Sequence, residues 1–186
     1  MNVDAAVAAI RSGRIVGVPT DTVYGLAVSP LDAGAVSSLY EAKGRPVERP
    51  VALLIPSLES VRDVVELPRA AVDMAEAHWP GPLTLVVRTV GRLPDWVGDP
   101  DRGTVGIRMP EGEVVLSLLE TTGPLAVTSA NRSGEPPALD EVEARRIFGD
   151  LVAVYLPGRC PGGEASTVVD LTGTSPAVLR PGPIEL

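Results

Sequence analysis

IVGVPTDTVYGLAV, residues 15–28, consists of two apolar runs separated by a short polar segment. The runs at 15–18 and 23–28 are rich in valine and other apolar residues, which favours buried strands. The polar residues 19–22 are typical of a turn closed by its own side chains. Two hydroxyls and a carboxylate between two strands could equally hold a small polar ligand. The stretch therefore predicts two strands joined by a turn that is either structural or ligand-binding.

Helical and extended patterns alternate along the rest of the chain, which predicts an α/β (α+β) fold. Asp32 and Asp140 are suited to begin helices as N-caps, and glycines such as Gly44 and Gly149 are natural helix ends. The predicted helices cover 3–13, 32–44, 57–65, 69–78, 114–123 and 140–149, and the predicted strands cover 15–18, 23–28, 51–55, 83–88, 104–109, 125–128, 152–156, 167–171 and 177–179.

The composition predicts a single domain, residues 1–186, because 45% of the residues are hydrophobic and no repeat or break in composition divides the chain. No apolar run is long enough to span a bilayer, and the N-terminus lacks the features of a signal peptide. We therefore expect a cytoplasmic protein without membrane contact. The net charge of −8 argues against a broad nucleic-acid-binding surface but not against a small basic pocket.

Histidine and cysteine are nearly absent, which excludes several kinds of site. Cys160 is the single cysteine and His78 the single histidine. A disulfide framework or a zinc site built on histidine and cysteine is therefore excluded, and most hydrolytic and redox chemistry is disfavoured. We interpret Cys160 as incidental and His78 as a structural or surface residue at a helix end.

Three further polar segments could carry chemistry. Residues 43–50, KGRPVERP, place three cations within seven residues, which could clamp a polyphosphate or form a solvated basic loop. Residues 128–134, TSANRSG, follow a strand and could bind phosphate, ribose or carboxylate, or form a polar turn. Residues 165–170, ASTVVD, bring two hydroxyls into a strand that is followed by Arg180. No P-loop or Rossmann glycine pattern is present.

These segments and their order resemble the YrdC/Sua5/TsaC family of threonylcarbamoyl-AMP synthases. The similarity runs from about residue 13 to residue 182 and resembles the short, single-domain type. The resemblance implies a YrdC/RibB-like fold, in which a twisted, mixed, open sheet surrounds a deep basic cavity. The motifs that carry it are PTDTVYGL, KGRP, WPGPLTLV, GIRMP, TSANRSG and STVVDL.

The resemblance implies an L-threonylcarbamoyladenylate synthase, a nucleotidyltransferase that condenses L-threonine, bicarbonate and ATP and releases pyrophosphate. ATP would bring Mg²⁺, and no protein metal ligands are predicted. The product would pass to a tRNA threonylcarbamoyl-transferase complex that modifies adenosine 37. The resemblance is also compatible with weak tRNA binding. Two alternatives stay open: a YciO-like nucleotide-binding paralogue and an RNA-binding module.

The role of each residue is inferred from its position in the family motifs. The resemblance implies that Lys43, Arg45 and Arg108 are catalytic. Arg49 replaces a residue that is often Asn in the family, and Leu54 stands where some longer members have a histidine that contacts threonine. The implied threonine-binding residues are Thr22, Arg108, Val127 and Ser166, and the implied ATP-binding residues are Lys43, Arg45, Arg49, Thr104, Ser129, Asn131, Pro137 and Arg180.

Overall fold

The structure is a computed structural model that describes residues 3–44, 50–91, 93–162 and 164–185. The helices are α1 (Val3–Arg11), α2 (Ala33–Lys43), α3 (Arg69–His78), α4 (Glu113–Thr122) and α5 (Glu141–Phe148). The strands are β1 (Val16–Val18), β2 (Gly25–Val28), β3 (Ala52–Leu54), β4 (Leu83–Arg88), β5 (Thr104–Arg108), β6 (Leu125–Ser129), β7 (Val154–Tyr155), β8 (Thr167–Asp170) and β9 (Ala177–Arg180). Within these ranges no helix has the length and apolar character needed to cross a bilayer.

The ends of two helices follow the sequence prediction. The Asp32 carboxylate accepts a hydrogen bond from the backbone N–H of Ala35 and caps α2, which ends at Gly44 with a φ of 59°. Only glycine adopts this left-handed conformation without strain. Asp140 caps α5 in the same way by accepting from the N–H groups of Val142 and Glu143. The predicted N-caps are therefore confirmed.

The prediction of a helix over 57–65 is wrong. Only Leu58–Val61 is helical, as a short 3-10 turn. The chain after this turn runs beside the end of β4, and the N–H of Glu66 donates to the carbonyl of Arg88 at 2.8 Å. Pairing with the sheet therefore replaces the helical hydrogen bonds, as suits a segment rich in β-branched valine.

All nine strands join one sheet in the order β7-β1-β2-β6-β3-β5-β4-β8-β9. Three pairs are parallel, β1 with β7, β3 with β5 and β4 with β8, and the other neighbours are antiparallel. The sheet is open, with β7 and β9 at its edges. The predicted mixed, open sheet is therefore confirmed.

The two faces of the sheet are covered unequally. Helices α2, α3 and α5 pack on one face against residues such as Leu53 and Ala126. Helices α1 and α4 pack on the other face, against β1, β2 and the neighbouring Leu54 and Leu125. Adjacent residues contribute to opposite faces because side chains alternate along a strand. The part of the second face formed by β4, β5 and β8 stays open and carries the candidate site.

Candidate active site

A cavity of about 380 Å³ lies on the open part of the sheet. This volume is in the range of about 300–1,000 Å³ that is usual for small-molecule sites. Gly25, Ala52 and Gly106 contribute small residues to its lining. A Cβ added to Gly106 would lie 3.3 Å from the Cγ2 of Thr84 and 3.6 Å from the Cβ of Ala52. The cavity floor therefore carries no side chain at Gly106 of β5.

Arg108, at the end of β5, is the most enclosed cation in the cavity lining, at 6% exposed. Its Nε donates to the carbonyl of Gly81 at 3.0 Å, and its Nη1 donates to the Oγ1 of Thr22 at 3.1 Å. Its Nη2 lies 2.5 Å from Oδ1 of Asp21. Burial lowers the pKa of Arg108, and the Asp21 carboxylate raises it again. The ion pair and the two hydrogen bonds therefore fix the orientation of the guanidinium.

The polar turn at 19–22 is both structural and part of the cavity. The Oγ1 of Thr20 donates to the carbonyl of Val23 at 2.7 Å and accepts from the N–H of Thr22 at 3.2 Å, which closes the turn. Thr20 and Thr22 both line the cavity. Asp21 also accepts from the N–H of Glu111 through Oδ1, whereas its buried Oδ2 has no hydrogen-bond partner among the described residues.

Ser166 and Arg180 form a second polar group at the cavity. Arg180 donates to the backbone carbonyl of Ser166 through Nε at 3.1 Å and through Nη2 at 2.7 Å. Nη2 also donates to the Oγ of Ser166 at 3.1 Å, and this Oγ lies 2.8 Å from the Oγ1 of Thr84. A Cβ on Gly182 would lie 2.5 Å from the carbonyl oxygen of Ala165. Glycine at 182 therefore lets the chain after Arg180 lie directly against this segment.

The two arginines of the cavity act on each other electrostatically. Burial lowers the pKa of Arg180, and the positive charge of Arg108 lowers it further. Arg108 has Asp21 as a counter-charge, whereas within the described part of the chain no carboxylate is in ion-pair contact with Arg180. The cavity therefore presents more positive than negative charge at this end, which favours an anionic ligand.

Lys43 is held beside the cavity by the end of β6. Its side chain is buried at the C-terminus of α2, and its Nζ donates to the carbonyl of Ser129 and to the Oδ1 of Asn131, the latter at 3.0 Å. The Oγ of Ser129 donates to the same Oδ1 at 2.6 Å. The amide nitrogen of Asn131 donates to the carbonyls of Arg132 and Glu135, which fixes the orientation of the amide. The cluster is therefore preorganised.

The loop before β5 forms the far end of the cavity. Asp99 and Thr104 exchange two backbone hydrogen bonds, at 2.7 and 3.0 Å, which hold the loop against the strand. The Nη2 of Arg102 lies 3.0 Å from Oδ2 of Asp170. Burial raises the pKa of Asp170, but hydrogen bonds from Thr172 and the pairing with Arg102 lower it below its usual value. Arg102 is therefore a third cation of the lining, paired with Asp170 and 55% exposed.

Comparison with known proteins places the chain in a family. The sequence model named Sua5_yciO_yrdC, described as telomere recombination, matches residues 8–182. This chain belongs to the Sua5/YciO/YrdC family. The family predicted from the motifs is therefore confirmed.

Relatives in the Sua5/YciO/YrdC family include proteins named for one reaction. A Mycobacterium tuberculosis relative is 46% identical over 182 residues, which cover 97% of this chain and 83% of the relative. The threonylcarbamoyl-AMP synthase of Pyrococcus abyssi is 41% identical over 181 residues, which cover 95% of this chain and 53% of the relative. The threonylcarbamoyl-AMP synthase of Marinobacter nauticus is 36% identical over 166 residues, which cover 87% of each chain. These names agree with the predicted nucleotidyltransferase activity.

Solved structures of the family show the same fold. Pyrococcus abyssi Sua5 complexed with L-threonine matches with a TM-score of 0.92 and 38% identity, over 97% of this chain and 54% of that one. This chain therefore spans about half of the Pyrococcus protein. Escherichia coli YciO matches with a TM-score of 0.91 at 24% identity, over 99% of this chain and 90% of that one, and this likeness shows the fold alone.

The structure brings together most of the residues to which the Sua5/YciO/YrdC resemblance gave a role. Lys43 and Asn131 bond to Ser129 at the edge of the cavity. Pro137 is not part of the cavity lining, and Arg45 and Arg49 lie outside the described residues. The predicted residues that line the cavity are Thr22, Thr104, Arg108, Val127, Ser129, Ser166 and Arg180.

Sequence reasoning gave no individual role to four residues of this site, although it named the Asp21 carboxylate as part of a turn that could hold a ligand. Asp21 orients Arg108, Thr84 bonds to Ser166, and Asp99 and Arg102 line the far end. Asp21 and Thr84 belong to motifs that carried the resemblance, PTDTVYGL and WPGPLTLV, so the motifs themselves were the available signal. The loop at 98–103 carried no such signal.

Proposed function

We propose that this chain is a threonylcarbamoyl-AMP synthase that uses L-threonine, bicarbonate and ATP. The observation that carries the proposal is the convergence of Arg108 and Arg180 on one cavity, because, among the residues described, Arg108 has a carboxylate counter-charge and Arg180 has none. All the substrates except neutral CO₂ are anions or carry an anionic group. A cavity lined by an arginine without a carboxylate partner in the described part of the chain is suited to hold them close together.

The amino acid would bind at the end of the cavity formed by Arg108. A planar guanidinium binds a carboxylate through two parallel hydrogen bonds, and Arg108 is held in place for this by Gly81, Thr22 and Asp21. The Oγ1 of Thr22 lies next to the guanidinium and would accept a hydrogen bond from the same ligand. Ser166 and the backbone at Val127 would complete the amino-acid site.

ATP would bind along the rest of the cavity. Lys43, Ser129 and Asn131 form a rigid polar cluster that places a positive charge beside the cavity, where it would attract the phosphates. Arg180, which bonds to Ser166, would contact the phosphates where the nucleotide meets the amino-acid site, and Thr104 also lines the cavity. The family resemblance adds Arg45, Arg49 and Pro137 to this proposed nucleotide site.

The reaction needs no covalent enzyme intermediate. The ammonium group of threonine first loses a proton, and the free amine attacks the carbon of bicarbonate, so that water leaves as a carbamate forms. If CO₂ formed from bicarbonate is attacked instead, the new carbamate releases a proton and no water. A carbamate oxygen then attacks the α-phosphorus of ATP, the bond to the β-phosphate oxygen breaks, and pyrophosphate leaves. The protein contributes by aligning anions that repel each other and by stabilising the charge on the leaving group. Fixed arginines suit both tasks.

We propose that ATP binds as its Mg²⁺ complex. Mg²⁺ is commonly held by substrate phosphates, waters and only one or two carboxylates. Asp99 lines the cavity, and because its Oδ1 accepts from the N–H of Arg102, its other carboxylate oxygen would be the one to join such a shared ligand set. When bound, the ion would reduce the charge of the phosphates that Lys43 and Arg180 also contact.

We also propose a cytoplasmic location, where ATP and tRNA are present, and transfer of the product to a tRNA threonylcarbamoyl-transferase complex. The test of the activity is incubation of the purified protein with ATP, Mg²⁺, L-threonine and ¹⁴C-bicarbonate. We expect labelled threonylcarbamoyl-AMP and an equal amount of pyrophosphate, both lost when threonine is omitted. Pyrophosphate release that does not depend on threonine would contradict the proposal.

A further inference from the structure

Thr84 and Ser166 form a pair of hydroxyls at the cavity wall. Their oxygens lie 2.8 Å apart, and both residues are nearly buried, at 7% and 5% exposed. Thr84 is on β4 and Ser166 directly precedes β8, which runs parallel to β4. Both residues line the cavity. The pair is therefore enclosed by protein on one side and open to a ligand on the other.

The hydrogen atoms of this pair cannot all be used within the protein. A guanidinium can only donate, so Ser166 Oγ accepts from Arg180 Nη2, 3.1 Å away. The two hydroxyls have two hydrogens, and the bond between them uses one. Among the described residues, neither hydroxyl has any other acceptor. One hydroxyl hydrogen is therefore left to point into the cavity.

The charge of Arg180 determines which hydroxyl keeps the free hydrogen. Hydrogen bonds that run in one direction polarise and strengthen each other. The series from Arg180 to Ser166 to Thr84 has this property, because Ser166 accepts from the cation and then donates to Thr84. In this arrangement the free O–H belongs to Thr84.

The neighbours of Thr84 indicate what it would bind. Leu85 pairs with Ile107 between the antiparallel strands β4 and β5. Thr84 precedes Leu85 and Arg108 follows Ile107, so Thr84 lies beside Arg108. Two arginines and a polarised hydroxyl donor therefore surround the same end of the cavity. Such a set recognises the oxygens of a carboxylate.

We propose that Thr84 is a further substrate-binding residue whose hydroxyl donates a hydrogen bond to a carboxylate oxygen of the amino-acid substrate. This inference rests on the function proposed above and extends its amino-acid site by one residue. No bond is made or broken by Thr84, and its contribution is to binding and orientation.

The test compares Thr84→Val, which replaces the hydroxyl with a methyl group, with Thr84→Ser, which keeps the hydroxyl. L-Threonine binding is measured by calorimetry, and ATP binding is measured separately. We expect Thr84→Val to weaken threonine binding about ten-fold, the effect of losing one hydrogen bond to a charged group. ATP binding should stay near the wild-type value, and Thr84→Ser should bind threonine nearly as well as the wild type.

A matched control is Thr122→Val, since the Thr122 hydroxyl bonds to the Leu118 carbonyl in α4, outside this cavity. It should leave threonine binding unchanged. The assignment is overturned if Thr84→Val binds threonine as the wild type does, if Thr84→Ser is equally weak, or if ATP binding falls by the same factor. Should Thr84→Val not fold, Thr84→Ala takes its place, with the serine variant as the same rescue. Failure of the wild type to bind L-threonine would contradict the proposed function itself, and the role of Thr84 with it.

Discussion

Arg108 and Asp21 form a buried ion pair that joins β5 to the turn between β1 and β2. The Nη2 of Arg108 lies 2.5 Å from Oδ1 of Asp21, and the side chains are only 7% and 11% exposed. The two residues are 87 positions apart in the sequence. A buried pair of this kind costs free energy to desolvate, and removing one partner leaves the other charge uncompensated. The pair therefore couples the stability of the fold to the geometry of the candidate site.

Asp21→Asn should destabilise the protein, because the buried guanidinium of Arg108 loses its counter-charge. We expect a fall of about 1–3 kcal/mol in the free energy of unfolding, measured by urea denaturation. The control is Asp73→Asn, which breaks a surface ion pair with Arg69. This variant should change stability by only about 0–0.5 kcal/mol. Equal losses in both variants would show that the buried pair has no special role.

Arg108→Ala should raise the KM for threonine about 10- to 100-fold and change the KM for ATP much less. The reason is that a hydrogen-bonded guanidinium in the cavity would pair with the amino-acid carboxylate rather than with the nucleotide. Steady-state kinetics with each substrate varied in turn measures the difference. Arg88→Ala is the matched control, since Arg88 lies on the adjacent strand and donates to the Thr172 carbonyl at the surface. Equal rises in both KM values for Arg108→Ala would refute the carboxylate assignment.

Lys43→Gln should weaken ATP binding about ten-fold or more and leave threonine binding near its wild-type value. The substitution removes a positive charge from the cluster with Ser129 and Asn131 while keeping a polar side chain. Calorimetric titration with ATP measures the effect. Arg62→Gln, which removes one positive charge from a surface pair with Glu59, is the control for net charge. Unchanged ATP affinity in Lys43→Gln would rule out a phosphate-binding role for this lysine.

Cys160 should be inert to alkylation in the folded protein at neutral pH. Burial raises the pKa of its thiol, and the nearby Asp21 and Asp140 carboxylates act in the same direction, so less thiolate is present than in a free cysteine. The rate of reaction with iodoacetamide should rise with pH and on unfolding in urea. Cys160→Ala should keep the kcat of the wild type. Rapid alkylation of the folded protein at pH 7, or loss of kcat in the alanine variant, would contradict the interpretation of this thiol as incidental.

Local elements were predictable where one strong signal dominated. Asp32 and Asp140 cap their helices as predicted, because a cap depends only on residues within one turn. The segment at 57–65 was mispredicted because β4, which is distant in sequence, offers it backbone partners. Competition between local and long-range hydrogen bonds is not visible in a short window of sequence.

The composition of the site was predictable in part. Arg108, Ser166 and Arg180 were found because each belongs to, or follows, a recognisable motif, and the structure lines one cavity with them. The hydrogen bond between Thr84 and Ser166 was not found, because the two residues are 82 positions apart and meet only through the pairing of β4 with β8. Neither motif indicates which strand lies beside it.

The sequence by itself determined the α/β class, the caps and turns, and the family, since all of these follow from local residue type and spacing. The tertiary structure alone decided the order of the nine strands, the half of one sheet face that α1 and α4 leave open, and the partners of each buried cation. The physical reason is the distance along the chain over which each kind of interaction acts. Side-chain chemistry and backbone preference act within a few residues, whereas the direction of a buried charge or hydroxyl depends on strands that only folding brings into contact.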